Sequence, residues 1–182
     1  TKDSEIIILS DEVYEHLIFD DRPHQSICKY PELASRSIAV FSFGKTFHVT
    51  GWKIGYCVGP ENLMHEFRKV HQFNVFSCNH PLQLALSEYL SNEDHYLKLG
   101  YFYQQKRDYF SDIVQASRFS MTPSSGTYFQ LLNFSKISEE ADVDMAKRLI
   151  EEYKLASIPI SVFYNSTLDE KNLRFCFAKK KE

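Results

Sequence analysis

Three short β-rich runs in the first third of the chain each stop at a polar turn, and this pattern constrains the fold most. The first is the aliphatic run Ile6–Leu9, which ends at Ser10-Asp11-Glu12; the others are residues 37–43 and 53–59. A run that is apolar at every position is typical of a strand buried on both faces of a parallel sheet. We therefore predict a sheet with a ligand-facing loop at the strand ends.

Helices are predicted after the strands. Apolar residues recur at helical spacing after Pro60, a second helical run covers residues 81–90, and a longer helix is predicted from His95 to about Ala116. Its predicted apolar face comprises Leu99, Phe102, Phe110 and Ile113. Strands followed by helices predict an α/β fold.

The pattern changes after the turn at residues 123–126. We predict a strand at 127–134, a helix at 139–154 capped by Ser138, and strands at 157–163 and 173–178. This order indicates a smaller α+β domain. The sequence thus predicts two domains, residues 1–110 and 111–182, with a boundary between about 95 and 120.

Composition narrows the classes of partner. A net charge of -3 with dispersed lysine and arginine argues against nucleic acid and favours a small molecule. Four separated cysteines indicate reduced thiols, and seven scattered histidines without a ligand motif predict no metal. The longest aliphatic run, Ile6–Leu9, is too short to span a membrane, and the chain opens without an apolar leader. We therefore expect a cytoplasmic protein.

Lys45 is the most unusual residue of the sequence. It follows Gly44 at the end of the second predicted strand, where an amine suited to forming a Schiff base is more plausible than a solvated lysine. Lys53, between Gly51 and Gly55, adds a second cation suited to a phosphate, beside glycines that permit close backbone approach. A lysine beside glycine is also a common turn residue, so this reading stays open.

Two other segments carry polar side chains at strand positions. Asp11 and Tyr14 follow the first strand, although an isolated Asp11 is typical of a helix cap or loop, and Tyr14 of a half-buried aromatic. Arg174 lies within the apolar strand Leu173–Phe177. A buried arginine requires a partner, so Arg174 meets either a carboxylate of the protein or one of a ligand.

These segments together resemble one family over nearly the whole chain. The run SDEVYEHL at residues 10–17, the run SFGKTFHVTGWKIGY at 42–56, GTYF at 126–129 and LRFCF at 173–177 resemble class I aminotransferases of the fold-type I pyridoxal-phosphate superfamily. The HQF at 71–73 and the Trp52-Lys53 pair are similar to the methionine and kynurenine (glutamine-type) branch. The resemblance implies the second half of the large pyridoxal-phosphate-binding domain, a mainly parallel sheet with flanking helices, plus a small α+β C-terminal domain.

The resemblance also implies roles for these residues. Asp11 would keep the pyridine nitrogen of pyridoxal 5'-phosphate protonated, and Tyr14 would bind the phenolic oxygen of its ring. Lys45 would form the Schiff base and transfer the substrate proton as general base and acid. Phosphate contacts would come from Ser42 and Lys53. Arg174 would bind the substrate α-carboxylate in a bidentate pair.

Two further implications concern the substrate and the assembly. Tyr128 and Phe76 are expected at the substrate, with Phe76 entering the neighbouring subunit of a homodimer that has shared active sites. The segment at residues 73–76 is too apolar for a solvated loop, which favours an interface over the alternative that it packs in its own core. Relatives often carry a hydroxyl residue where Gly44 stands, so one phosphate contact is in doubt. The sequence is expected to be a fragment, since further cofactor-binding residues and a final helix are not found in it.

The expected activity is transfer of an amino group between an L-amino acid, such as methionine, glutamine, an aromatic amino acid or kynurenine, and a 2-oxo acid. A C-S β-lyase on the same scaffold is an alternative, because the same residues serve elimination. A non-catalytic relative is the second alternative. A dinucleotide-binding domain is disfavoured, because no glycine-rich fingerprint follows any strand. The sequence does not identify the donor or the acceptor.

Overall fold

The computed structural model describes residues 4–180, and it divides into two compact α/β units. The first unit ends at Gly100 and the second begins at Tyr101. Both this division and residue 110, the end of the first predicted domain, lie within one helix, Leu99–Gln115. Among the residues that the structure describes, no helix has the length and apolar character needed to cross a membrane.

The first unit contains a three-stranded sheet in the order β1-β2-β3. The strands are β1 (Ile8–Asp11), β2 (Ser37–Ser42) and β3 (Gly55–Val58). β1 runs parallel to β2 with Asp11 opposite Val40, and β3 runs antiparallel to β2 with Gly55 opposite Ser42. The three predicted strands are therefore confirmed, the first shifted by two residues toward Asp11 and the other two with shorter bounds.

The predicted burial of the first strand on both faces is wrong. Ile6 and Ile7 precede β1 and are more than half exposed, and Leu9 within β1 is 72% exposed. β1 lies at the edge of the sheet formed by the described residues, and in that part of the chain nothing covers the face that carries Leu9. The buried side chains of the sheet come instead from β2, where Ala39 and Phe41 point into the core.

Among the described residues, five α-helices lie wholly within the first unit. The two short ones nearest the sheet are α1 (Pro31–Ala34) and α2 (Phe43–Thr46), and the later ones are α3 (Glu61–Asn74), α4 (His80–Leu90) and α5 (Asp94–Leu97). The helices predicted after Pro60 and at residues 81–90 are thus confirmed. No residue of α3 is buried, so its apolar side chains are available on the surface of the described residues.

The second unit combines two helices with an antiparallel sheet. The helices are α6 (Leu99–Gln115) and α7 (Asp142–Tyr153), and the sheet has the order β4 (Phe129–Asn133), β6 (Asn172–Cys176), β5 (Ile158–Pro159). Its core joins α6, α7 and both longer strands through a cluster of buried apolar side chains: Val114, Leu132, Phe134, Met145, Ala146, Leu149, Leu173 and Phe175.

Local details of this unit differ from the predictions. The buried side chains of α6 are Tyr103, Arg107, Ser111 and Val114. The predicted apolar face is wrong at Phe102 and Ile113, which are exposed, whereas Phe110 packs against the core. Arg107 is buried because its guanidinium donates to Asp108 and to the carbonyl of Ser124, each at 2.7 Å.

The predicted start of α7 and the predicted strand at 157–163 also need correction. Ser138 does not cap α7, which begins at Asp142; the hydroxyl of Ser138 accepts instead from the Glu140 N–H. The strand is reduced to Ile158–Pro159, because the backbone of Ile160 adopts the helical region and begins a 3-10 turn at Ser161–Phe163.

Candidate active site

Asp11 and Tyr14 lie on the turn that leaves the carboxyl end of β1. Asp11 is the last residue of the strand and is exposed, and its Oδ1 accepts a hydrogen bond from the Val13 N–H at 3.3 Å. An aspartate that bonds the backbone two residues ahead favours a turn over a longer strand. The turn places the half-buried Tyr14 close after Asp11 in the chain.

Glu12 anchors this turn, a role that the sequence analysis missed. It is 5% exposed. Its Oε1 accepts from the Ile27 N–H at 2.9 Å and from the Ser10 hydroxyl at 3.0 Å, and its Oε2 lies 2.8 Å from Nε2 of His24. Burial raises the pKa of Glu12, but its hydrogen bonds outweigh burial and hold that pKa below the usual value. Glu12 therefore joins the turn beside Asp11 to the loop around Ile27 as a carboxylate.

Lys45 lies on α2, a single helical turn that follows β2 without a break. Ser42 caps this turn, because its Oγ accepts from the Lys45 N–H at 3.2 Å, and Thr46 donates its hydroxyl to the Ser42 carbonyl at 3.1 Å. The Lys45 side chain is half-buried. Within residues 4–180, the structure gives its amine no hydrogen bond and no ion pair.

The glycines of this segment differ in what they permit. A Cβ on Gly55 would lie 2.2 Å from the Phe41 carbonyl oxygen, and one on Gly44 would lie 3.0 Å from the Thr50 Cα. Gly44 therefore leaves little room for the hydroxyl residue of relatives. A Cβ on Gly51 would meet nothing within 4 Å, so the predicted close approach is found at Gly55 and not at Gly51.

Sheet topology brings the predicted cofactor residues to one edge of the first unit, namely the edge where the carboxyl ends of β1 and β2 lie. Because β1 and β2 are parallel, Asp11 and the Ser42–Lys45 segment both lie at the carboxyl ends of their strands. The antiparallel β3 begins at that edge, since Gly55 pairs with Ser42. Lys53 lies two residues before Gly55, exposed, with a left-handed φ of 54° that ends the 3-10 turn Thr50–Trp52.

A cavity of about 390 Å³ in the first unit adds residues that the sequence did not indicate. Tyr56 lines it and donates its hydroxyl to Glu15 at 2.7 Å, while its ring stacks on Phe41 at 4.6 Å. Burial and the bond to Glu15 raise the pKa of Tyr56. Thr46, next to Lys45, also lines this cavity, so a mainly apolar pocket with a few polar groups adjoins the lysine-bearing turn.

Arg174 lies in the middle of the sheet of the second unit, opposite Leu131 on one side and Ile158 on the other. Its guanidinium carbon is 4.4 Å from the centre of the Phe129 ring and 5.5 Å from that of Phe163. Its Nε is buried without a hydrogen-bond partner in the part of the chain described. The guanidinium therefore contacts aromatic rings and, within residues 4–180, pairs with no carboxylate.

Tyr128 and Phe76 occupy different environments. Tyr128 is half-buried in the second unit, where its ring lies 4.7 Å from that of Phe129, which also contacts Arg174. Phe76 follows α3 in the first unit, is 79% exposed and has a left-handed φ of 69°. Phe73 is 89% exposed and Val75 is 52% exposed. In the described residues, the segment at 73–76 therefore does not pack in the core of its own subunit, which was the alternative.

Comparisons with known proteins identify the family of the chain. The family model for aminotransferases of class I and II matches residues 1–182. The methionine aminotransferase of Escherichia coli is 48% identical over 97% of this chain, and kynurenine–oxoglutarate transaminase 1 of Rattus norvegicus is 30% identical over 97%. These alignments cover 46% and 47% of the two relatives, so the chain spans about half the length of the curated relatives it matches.

A solved structure gives the same result. The crystal structure of YbdL from Escherichia coli, described as having a methionine aminotransferase function, matches with a TM-score of 0.94 and 47% identity. The match covers 98% of this chain and 48% of that one. The chain belongs to the class I and II aminotransferase family.

Proposed function

We propose that this chain is the C-terminal half of a pyridoxal-phosphate-dependent aminotransferase that transfers an amino group between an L-amino acid and a 2-oxo acid. The observation that carries the proposal is the edge of the first unit where Asp11 ends β1 and Lys45 follows β2. Class I aminotransferases depend on pyridoxal phosphate. Methionine is the first donor to test, because a relative with 48% identity is a methionine aminotransferase.

The donor set at this edge fits pyridoxal phosphate. The cofactor has a pyridine nitrogen, a phenolic oxygen, a carbonyl carbon and a phosphate. The edge provides one group suited to each of the first three, namely the Asp11 carboxylate, the Tyr14 phenol and the Lys45 amine. The Ser42 hydroxyl and the Lys53 ammonium suit the phosphate. When bound, the cofactor supplies an electron sink that stabilises the negative charge left when the substrate loses its α-proton.

Asp11 and Tyr14 act on the cofactor ring in this proposal. A carboxylate beside the pyridine nitrogen favours its protonated form, because an opposite charge stabilises the cation. Oδ1 of Asp11 accepts from the Val13 N–H, and that bond holds the carboxylate at the end of β1. Tyr14 hydrogen-bonds the phenolic oxygen.

Lys45 has two tasks in the proposal. Its amine would hold the cofactor covalently until the substrate amine displaces it, and the freed amine would then take the proton from the substrate α-carbon and pass it to the cofactor. The half-buried position of Lys45 and the short helix capped by Ser42 support both tasks, because they restrict the directions open to the side chain. The Ser42 hydroxyl still has its own proton to donate to the phosphate, because in the cap it only accepts.

Arg174 binds the substrate α-carboxylate in the proposal, with Tyr128 near the same ligand. A guanidinium presents two parallel N–H groups to a carboxylate, a geometry that lysine does not reproduce. The buried Nε without a partner among the described residues supports this role, because burying an unsatisfied donor is unfavourable. The strand position of Arg174, between Leu131 and Ile158, makes its backbone rigid.

The proposal extends to the assembly, the domains and the compartment. We propose a homodimer with shared active sites, in which Phe76 enters the neighbouring pocket, because the exposed aromatic pair Phe73 and Phe76 is typical of an interface.

The first unit corresponds to part of the large domain and the second to the small C-terminal domain. The four free cysteines support a reducing, cytoplasmic compartment.

Transfer of labelled nitrogen tests the proposed activity. The full-length protein with pyridoxal phosphate is mixed with ¹⁵N-labelled L-methionine and a panel of 2-oxo acids, and the products are followed by mass spectrometry. We expect a labelled new amino acid together with the 2-oxo acid of methionine. A parallel assay with a ¹⁵N-labelled cysteine S-conjugate, whose sulfur is on the β-carbon, tests the alternative: release of labelled ammonia and a thiol, without a labelled amino acid, would indicate a β-lyase. Unchanged methionine and unchanged S-conjugate would refute methionine as the donor and the β-lyase activity, respectively.

A further inference from the structure

The second unit contains a buried carboxylate, Asp142, that the proposed chemistry does not use. It is 1% exposed and is the first residue of α7. Its Oδ1 accepts from the Ser161 hydroxyl at 2.6 Å, and its Oδ2 accepts from the Ser161 N–H at 2.7 Å. A buried carboxylate is tolerated only when its oxygens are hydrogen-bonded, so these two bonds hold the Ser161 turn firmly against α7.

Asp142 also holds the far end of the segment that begins at Ser161. Its backbone N–H donates to Oδ2 of Asp169 at 3.0 Å, and Lys171 binds the same carboxylate through its N–H at 2.8 Å and its ammonium at 3.1 Å. Between these anchors the apolar side chains are exposed, with Val162 at 58%. A segment with so little buried surface is ordered mainly by its two attachments to Asp142.

Phe163 connects this segment to the carboxylate-binding arginine. It lies two residues after Ser161 in the 3-10 turn, and its ring centre is 5.5 Å from the guanidinium carbon of Arg174. The Phe129 ring is 4.4 Å from the same carbon, but it is fixed by β4 and needs no further anchor. Phe163 is 61% exposed, so its position depends on the turn that carries it.

We propose that Asp142 is a positioning residue for Arg174. By fixing the turn at Ser161, it keeps the Phe163 ring against the guanidinium and so keeps the guanidinium directed at the ligand carboxylate. Cation–π contact and a restricted arginine both favour carboxylate binding, because less conformational freedom is lost when the ligand arrives. The inference rests on the proposed function, in which Arg174 binds the substrate α-carboxylate.

A simpler role for Asp142 would be to stabilise the N-terminus of α7 by its charge. Asp144 provides the matched control, because it lies in the same first turn of the helix and carries the same charge. It is exposed, and its ion pair is with Lys147 at 3.8 Å. A charge effect on α7 would respond similarly to either substitution, whereas the proposed positioning requires Asp142.

The test uses the full-length enzyme with bound cofactor and four variants: Asp142→Asn, Asp144→Asn, Ser161→Ala and Phe163→Leu. Steady-state kcat and KM are measured with L-methionine. Calorimetry then measures binding of two probes that each lack one substrate group: desamino-methionine, which retains the carboxylate, and decarboxylated methionine, which retains the amine and so still bonds to the cofactor. Thermal unfolding of each variant reports whether it is folded.

We expect Asp142→Asn and Phe163→Leu to raise KM and to weaken binding of desamino-methionine, each by roughly threefold to thirtyfold. The kcat and the affinity for decarboxylated methionine should change by less than about twofold. Ser161→Ala should have a smaller effect, because the Ser161 N–H still binds Asp142. Asp144→Asn should behave as the wild type.

Two results would overturn the inference. One is unchanged desamino-methionine binding in Phe163→Leu, which also decides the matter if Asp142→Asn does not fold. The other is an equal loss in Asp144→Asn and Asp142→Asn, which would indicate a helix effect. The proposed function fails separately, if the wild-type enzyme transfers no amino group at all.

Discussion

Replacing Glu12 by glutamine keeps the size of a buried side chain and removes its charge. The carboxylate interacts with the Ile27 N–H, the Ser10 hydroxyl and His24 at distances of 2.8 to 3.0 Å. The amide oxygen of glutamine can keep the bonds from Ile27 and Ser10, because both go to the same oxygen. What is lost is the added strength that a charged acceptor gives to each bond.

The magnitude follows from that loss. A hydrogen bond to a charged group contributes about 1.5 to 3 kcal/mol, against roughly 1 kcal/mol for a neutral one. Weakening two such bonds by about 0.5 to 2 kcal/mol each predicts that Glu12→Gln lowers the free energy of unfolding by about 1 to 4 kcal/mol at pH 7. Glu88→Gln is the control, because Glu88 is exposed on α4, and we expect a change within about 0.5 kcal/mol.

The effect should depend on pH. The folded protein holds the pKa of Glu12 below its usual value of 4.5, so the carboxylate stabilises the fold above that value. The stabilisation is lost as pH falls through the lowered pKa. The difference between wild type and Glu12→Gln should therefore be largest above about pH 5 and should shrink on further acidification.

Urea unfolding at several pH values measures this difference, and cofactor content of the purified variant reports the effect on the turn that carries Asp11 and Tyr14. We expect reduced stability together with weaker cofactor retention. A variant as stable as wild type at pH 7, or a difference that stays constant from neutral to acidic pH, would refute the role assigned to the Glu12 carboxylate.

Three further predictions concern the backbone, the substrate and the assembly. Gly55→Ala should lower the free energy of unfolding by about 2 to 4 kcal/mol, because its Cβ would lie 2.2 Å from the Phe41 oxygen, whereas Gly51→Ala should not; urea unfolding of both tests this. Arg174→Ala should lower kcat/KM for amino acids, with a loss of transition-state stabilisation of about 2 to 5 kcal/mol, and unchanged kcat/KM would contradict carboxylate binding. Mixed dimers of the inactive variants Lys45→Ala and Phe76→Asp should regain activity, and their failure to do so, with both variants folded and paired, would argue against shared sites.

The local sequence pattern predicted the positions of strands and helices more reliably than it predicted which of their side chains are buried. Strand and helix positions depend on periodicity and on breakers such as Pro60 and Gly59, which are visible in the sequence. Burial depends on what covers a face. Leu9 belongs to an aliphatic run typical of a buried strand and is 72% exposed, because no other described residues cover the face of the sheet that carries it.

The candidate site was predictable in part for the same reason. Asp11 and Lys45 stand out because each follows a strand, and the parallel pairing of β1 with β2 brings the strand ends together. Glu12 and Asp142 did not stand out, because their partners Ile27 and Ser161 lie 15 and 19 residues away in the chain. Long-range hydrogen bonds of this kind leave no periodic signal.

The covalent attachment of the cofactor to Lys45 is the central claim. Borohydride reduction of the full-length enzyme with pyridoxal phosphate makes the link between lysine and cofactor permanent, and peptide mapping then locates it. We expect the label on the peptide that contains Lys45 and its loss in Lys45→Ala. A label on Lys53 or on any other lysine, with Lys45 unmodified, would contradict the assignment.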